Sequence, residues 1–312
     1  MTNKNKYNGI VVPAVTPLTK DFKLDHRALE RMFANFHKAG VMPFINGTTG
    51  ESASLPVKFK HDYVLTASKL KYPGDRLFVG ISANCFEESV KLANIAFDSG
   101  ADAVAATLPS YYNLSEYQML TYFEQLAVQA PGPIIIYNIP TTTRMSIPLE
   151  IIDKLSYHEN FIGTKDSERS DERLKASLEM WRKRSDFCHL LGWAPKSAEA
   201  LIGGSDGLIP STGNINPQLY ADLYNAVQKG DHEQAYKLQK ISDQLGDVYQ
   251  KAKLLGESLW ALKVCMHELE ICEEYVMPPL YPMQEEEKQK VVKNLKHIIE
   301  KNNLLVRSDA NV

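Results

Sequence analysis

The chain has 312 residues, of which 44% are hydrophobic and 23% charged, enough to bury a core as one large domain or one domain with an appendage. Its 35 basic and 38 acidic residues give a formal net charge of -3 and are spread along the chain, which leaves no basic face for a phosphate backbone and argues against nucleic acid as a partner. No stretch reaches the roughly 18 uninterrupted apolar residues of a spanning helix, and no apolar run follows the lysines of MTNKNKYNGI, so a cytoplasmic protein without a membrane partner is expected.

From residue 10 onward, short β-branched runs alternate with longer stretches of helical period. The strand-like runs are IVVPAVTP from Ile10, PFINGTTG from Pro43, RLFVGISA from Arg76, DAVAATLP from Asp102, PIIIYNI from Pro133, FIGTKDS from Phe161, HLLGW from His189 and GLIPST from Gly207. Between them, DHRALERMFANFHKAG carries an apolar stripe of Leu29, Met32, Phe33 and Phe36 with Gly40 as its stop, and EESVKLANIAFDSG repeats that plan up to Gly100. Eight such units predict an α/β fold closed as a (β/α)8 TIM barrel rather than an open doubly wound sheet. No GxGxxG follows the first strand, which removes the usual dinucleotide reading.

The eighth strand run ends at Thr212 and a helix follows near residues 218–229, whereas a barrel of this kind needs about 250 residues in all. The segments DHEQAYKLQKISDQLGDVYQKAK, ESLWALKVCMHELEI and MQEEEKQKVVKNLKHIIEKNN all keep a helical period. The expected division is a catalytic barrel over 1–229 and a C-terminal helical appendage over 230–312. Cys85, Cys188, Cys265 and Cys272 are too far apart for a CxxC motif and too sparse for a disulfide scaffold, and are expected as small buried hydrophobes.

Barrel chemistry sits at the C-terminal ends of the strands, and three segments there carry groups that a pure core would not want. In FIGTKDS, regular alternation would put Phe161, Gly163 and Lys165 on one face, with the glycine leaving room beneath the lysine. Burial would lower the lysine pKa and make it an amine nucleophile for a carbonyl; the alternative is a lysine solvated past the strand or paired with Asp166. Tyr137, at the end of PIIIYNI, offers a proton relay or simply caps the core. GTTGES, residues 47–52, could gather N–H groups and hydroxyls around a carboxylate, or form a plain turn with Thr49 as helix cap. Amine, relay and carboxylate cradle together are what processing of a 2-oxo acid requires.

Taken in order and spacing, GTTGES, PSYYN, YNIP and GTKDS resemble the dihydrodipicolinate synthase / N-acetylneuraminate lyase family of Schiff-base-forming pyruvate aldolases, over the chain from about Gly9 to PPLYPM near residue 283. The resemblance implies that Lys165 forms the Schiff base, Tyr137 relays protons, and Thr48 and Thr49 bind the pyruvyl carboxylate. It implies that Tyr111 in PSYYN is similar to a tyrosine received from a neighbouring subunit, that the assembly is a homotetramer or homodimer, and that neither metal nor organic cofactor is used. The candidate substrate contacts are Gly47, Thr48, Thr49, Ser167, Trp193, Ile209 and Ser211, with Thr212 as a further hydroxyl; the alternative for Trp193 is packing at the rim.

Two departures bear on the substrate. Thr142 stands where the synthase branch has an arginine after YNIP, the nearest arginine being Arg144, and Gly192, Trp193, Ala194 and Pro195 stand where the sialic-acid branch has a GYDE-like pair. The leading expectation is a lyase that splits a 2-keto-3-deoxy sugar acid, N-acetylneuraminate or a related 2-oxo acid into pyruvate and an aldehyde. A 4-hydroxy-tetrahydrodipicolinate synthase or a dehydratase would use the same lysine. A non-catalytic 2-oxo acid binding protein would not need the relay, and a phosphate-recognising isomerase would need GGSDG (203–207) after strand eight rather than before it.

Overall fold

The computed structural model describes residues 6–304. Strands β1 (Gly9–Pro13), β2 (Met42–Ile45), β3 (Phe78–Gly80), β4 (Ala103–Ala106), β5 (Ile134–Asn138), β6 (Phe161–Asp166), β7 (Cys188–Leu191) and β8 (Gly207–Leu208) pair in parallel, each with the next in sequence. Gly9 opposite Gly207 and Ile10 opposite Leu208 close the ring, so the expected (β/α)8 barrel is the observed fold.

Helices α1 (His26–Ala39), α2 (Val57–Leu70), α3 (Phe86–Asp98), α4 (Glu116–Gln129), α5 (Leu149–Leu155), α6 (Asp171–Trp181), α7 (Ser197–Ile202) and α8 (Pro217–Gln228) each follow the strand of the same number. Their ends are set locally. Asp25 accepts from the Ala28 N–H at 3.0 Å to open α1, and Gly40, at φ +68°, closes it in the left-handed region. The face between them buries Leu29, Met32, Phe33 and Phe36.

Strand alternation divides the apolar residues into two layers. Val11, Phe44, Phe78, Ile135, Leu190 and Ile209 belong to an inner cluster, while Val12, Ile45, Val79, Ile134 and Ile136 join the helices in an outer one.

Strand β6 breaks the regular alternation expected of it. Ile134 opposes Phe161 but Ile135 opposes Gly163, so Ile162 is an extra residue in the ladder. Phe161 therefore joins the outer layer, edge-on to Phe123 with ring centroids 6.2 Å apart, and does not share a face with Lys165. Gly163 and Lys165 stay opposite Ile135 and Tyr137. Gly163 does not leave open space either: a Cβ there would meet the Cys188 carbonyl oxygen at 2.6 Å, so the glycine lets β7 approach.

After β8 the chain forms α9 (His232–Gln250), α10 (Leu255–Glu268) and α11 (Glu285–Asn302), the helical appendage expected from the sequence. Along α10, residues 258–266 are buried without a break, and Trp260, Leu262, Val264 and Met266 join the same apolar cluster as Leu29 and Phe33. Cys188, Cys265 and Cys272 are buried as expected, but Cys85 is exposed because it is the residue that precedes α3. GGSDG makes the turn from α7 into β8, with Gly204 at φ +104°. No helix among the described residues is long and apolar enough to cross a membrane.

Candidate active site

At the end of β2 the backbone turns sharply at Asn46 (φ +53°), and a Cβ on Gly80 would lie 2.2 Å from the Asn46 carbonyl oxygen. Only glycine lets β3 pass this turn. The 47–52 loop then closes on itself: the Glu51 N–H donates to Thr48 O at 3.0 Å, the Ser52 N–H to Gly47 O at 3.3 Å, and the Thr16 hydroxyl to Gly50 O at 2.6 Å. Thr49 is buried within the loop and is not a helix cap, since α2 starts only after Pro56.

Strands β5 and β6 bring Tyr137 and Lys165 into register, each 4% exposed. The lysine Nζ lies 3.8 Å from the Tyr137 ring centroid and 4.9 Å from that of Phe44. The Tyr137 and Thr48 hydroxyls are 3.2 Å apart, a hydrogen bond in which either can donate. Burial pushes the Lys165 amine below its ordinary 10.5, against the opposing effect of the adjacent phenol. Neither alternative for this residue matches the geometry. The lysine is not solvated, and Asp166 is engaged elsewhere, accepting from Arg173 Nε at 2.7 Å, Asn138 Nδ2 at 3.1 Å and the Glu168 N–H at 2.9 Å.

Gly47, Thr48 and Tyr137 lie on the wall of a cavity of about 630 Å³, which Thr142 also lines, while Arg144 is exposed. Lys165, Thr49 and the other predicted residues are not on that wall. Tyr111 is 77% exposed, edge-on to Tyr112, on a loop whose Ser110 and Tyr111 N–H groups donate to Asn84 Oδ1 at 2.9 and 3.2 Å; within one chain it is not brought against Lys165. Ser167 follows β6, with its hydroxyl lying where a Cβ on Gly192 would stand. Trp193 packs against the outer apolar layer with Lys196 Nζ 5.6 Å from its ring centroid, and Ile209 belongs to the inner layer. The Ser211 and Thr212 hydroxyls are 2.7 and 2.9 Å from the Tyr249 hydroxyl.

Sequence reasoning included Glu51 only as a member of GTTGES, and it did not find Phe44, Tyr249 or Lys263 as parts of this region. Phe44 could have been found as the inward residue of β2 before the loop. Tyr249 and Lys263 come from the appendage, 38 positions after Ser211 and far beyond Glu51, and carry no local signal.

A buried amine whose pKa burial lowers, a phenol against it and a hydroxyl on that phenol, all at strand ends of one barrel, form the candidate site, and they are the groups that a lyase of the Schiff-base aldolase type would use. Comparison with known proteins makes the assignment specific. The model of the dihydrodipicolinate synthetase family matches residues 6–298. A DapA-like lyase of Pyrococcus furiosus is 31% identical over 94% of this chain and 96% of its own, and a 4-hydroxy-tetrahydrodipicolinate synthase of Methanosarcina acetivorans is 28% identical over 94% and 98%. Among solved structures, dihydrodipicolinate synthase from Bacteroides thetaiotaomicron superposes with a TM-score of 0.88 at 32% identity, covering 93% of this chain and 98% of its own. YagE of Escherichia coli K12, solved in complex with pyruvate, gives 0.88 at 25% identity, covering 94% and 98%. The chain belongs to the dihydrodipicolinate synthetase family, and it is a lyase.

Proposed function

We propose that Lys165 condenses with the 2-oxo group of a pyruvyl acid and that the enzyme uses the resulting iminium to break or form the C–C bond between pyruvate and an aldehyde. The observation that carries this reading is the Lys165 amine, buried at the end of β6, 3.8 Å from the ring centroid of a tyrosine whose hydroxyl bonds Thr48. The neutral amine attacks the ketone carbon, the carbinolamine loses water to give the iminium, and in the cleavage direction the C–C electron pair flows into it as an enamine while the aldehyde leaves. Protonation of the enamine carbon and hydrolysis by water release pyruvate and restore the amine. Tyr137 moves the protons, with Thr48 holding its hydroxyl, and Thr48 and Thr49 receive the carboxylate.

A 2-keto-3-deoxy sugar acid, N-acetylneuraminate or a related 2-oxo acid supplies the aldehyde half. Synthase activity is the second reading, supported by the name of the Methanosarcina relative and opposed by Thr142 where that branch carries an arginine. No metal or organic cofactor enters this scheme. The exposure of Tyr111 fits donation of its phenol to a neighbouring subunit in a homodimer or homotetramer, and the protein acts in the cytoplasm. Treatment with pyruvate and borohydride should add an irreversible mass at Lys165 and none in Lys165→Ala; an unmodified lysine in the parent enzyme rejects the mechanism. A pyruvate-release screen across candidate acids then assigns the substrate.

A further inference from the structure

The loop that carries Thr48 and Thr49 is anchored from the appendage. Glu51, within the loop, and Lys263, on α10, form an ion pair with Nζ and Oε1 2.5 Å apart, and both side chains have 0% exposure. Each partner is held again. Lys263 donates to the Tyr275 carbonyl at 2.6 Å, and the second Glu51 oxygen accepts from the Met277 N–H at 2.7 Å. Glu51 adopts φ +60°, an uncommon backbone conformation for a glutamate, and its own N–H closes the turn onto the Thr48 carbonyl.

A fully desolvated ion pair adds little stability over a well-packed apolar pair of similar volume, whereas the directional bonds from Lys263 to the Tyr275 carbonyl and from the Met277 N–H to Glu51 admit few arrangements. Its place therefore calls for an explanation in geometry. The fixed contacts run from Lys263 through Glu51 to the Thr48 carbonyl, and from the Thr48 hydroxyl to Tyr137 over Lys165. We infer that Glu51 and Lys263 are positioning residues for pyruvate: they hold the loop so that the Thr48 hydroxyl stays on the Tyr137 phenol, which makes the C-terminal appendage a working part of the active site. This rests on the reading of Lys165 as the Schiff-base lysine.

The test measures, in full-length proteins, the pyruvate concentration that half-saturates borohydride trapping at Lys165 alongside the thermal unfolding midpoint. The double variant Glu51→Gln/Lys263→Met removes both charges together, so its midpoint should stay near that of the parent while the half-saturating concentration rises about 10- to 100-fold. Leu262→Ala, a core truncation on the same helix, should lower the midpoint and leave the half-saturating concentration unchanged. If the double variant traps pyruvate at the parent concentration, the positioning role is wrong. It is also wrong if Leu262→Ala weakens trapping as much as the double variant does, because general loosening of the appendage would then suffice. If the parent protein itself traps nothing, the Lys165 reading falls first and the positioning role falls with it.

Discussion

Lys165, like Lys60, is a lysine whose ammonium is poorly served where it sits. Burial disfavours the ammonium, while the faces of Tyr137 and Phe44 offer it only partial compensation. Because the folded pKa lies below the unfolded one, the unfolded chain binds more protons between the two values, and stability rises with pH across that window. Lys165→Met should accordingly be more stable than the parent at neutral pH, with the advantage shrinking as pH approaches 10.5 in parallel urea titrations. The same shift predicts that the rate of imine trapping climbs with pH and levels off below 10.5; a profile still rising beyond 10.5 would contradict it. Tyr137→Phe keeps the ring over the amine but removes the hydroxyl that bonds Thr48, so turnover should drop by about 10²- to 10⁴-fold while the lysine remains trappable. The burial of Lys165 and Tyr137 side by side was legible in the sequence because an amine and a phenol stood in runs otherwise fit for burial. The partner of Glu51 was not, since it lies on a helix that only tertiary packing brings to the loop.

At the scale of elements, the period of apolar residues was enough to place the strands and the helices between them, but not to place every face. The extra residue Ile162 turns Phe161 outward, a change that depends on how β6 meets β5 and leaves no mark in the composition of FIGTKDS. Two glycines at strand ends illustrate the same limit, since they read alike in sequence and differ in what surrounds them. A methyl on Gly80 would collide with the backbone of Asn46 at 2.2 Å, whereas a methyl on Gly192 would meet first the Ser167 hydroxyl, which can rotate away, and then the Asp166 carbonyl oxygen and Ser167 Cβ, both at 3.2 Å. Gly80→Ala should therefore destabilise the fold by roughly 1–3 kcal/mol and impair activity by shifting the Thr48 loop, while Gly192→Ala should cost clearly less. Denaturant melts of the two variants side by side check this, and equal losses would show that the turn after β2 is softer than its contacts indicate.

For the whole molecule, counting eight strand-like runs was sufficient to close the barrel, yet sequence spacing alone divides the chain near residue 229 without showing how much passes across that division. Trp260, Leu262, Val264 and Met266 are buried in the same apolar cluster as the barrel helices, and the Arg31 side chain on α1 donates to the Ile271 carbonyl at 3.2 Å. Burial of each large apolar side chain contributes roughly 1.5–3 kcal/mol, so these four alone are comparable with the roughly 5–15 kcal/mol that keeps a whole domain folded. Removing the appendage would also leave Glu51 with neither Lys263 nor the Met277 N–H, a further loss at the loop that carries Thr48. A chain ending at residue 229 is therefore expected to lose fixed packing while keeping much of its secondary structure: a far-UV dichroism signal should survive, the near-UV signal should collapse, and a hydrophobic dye should bind. A truncated chain that melts cooperatively and still forms the trapped imine would show that the barrel is self-sufficient and that the contacts of α10 are dispensable.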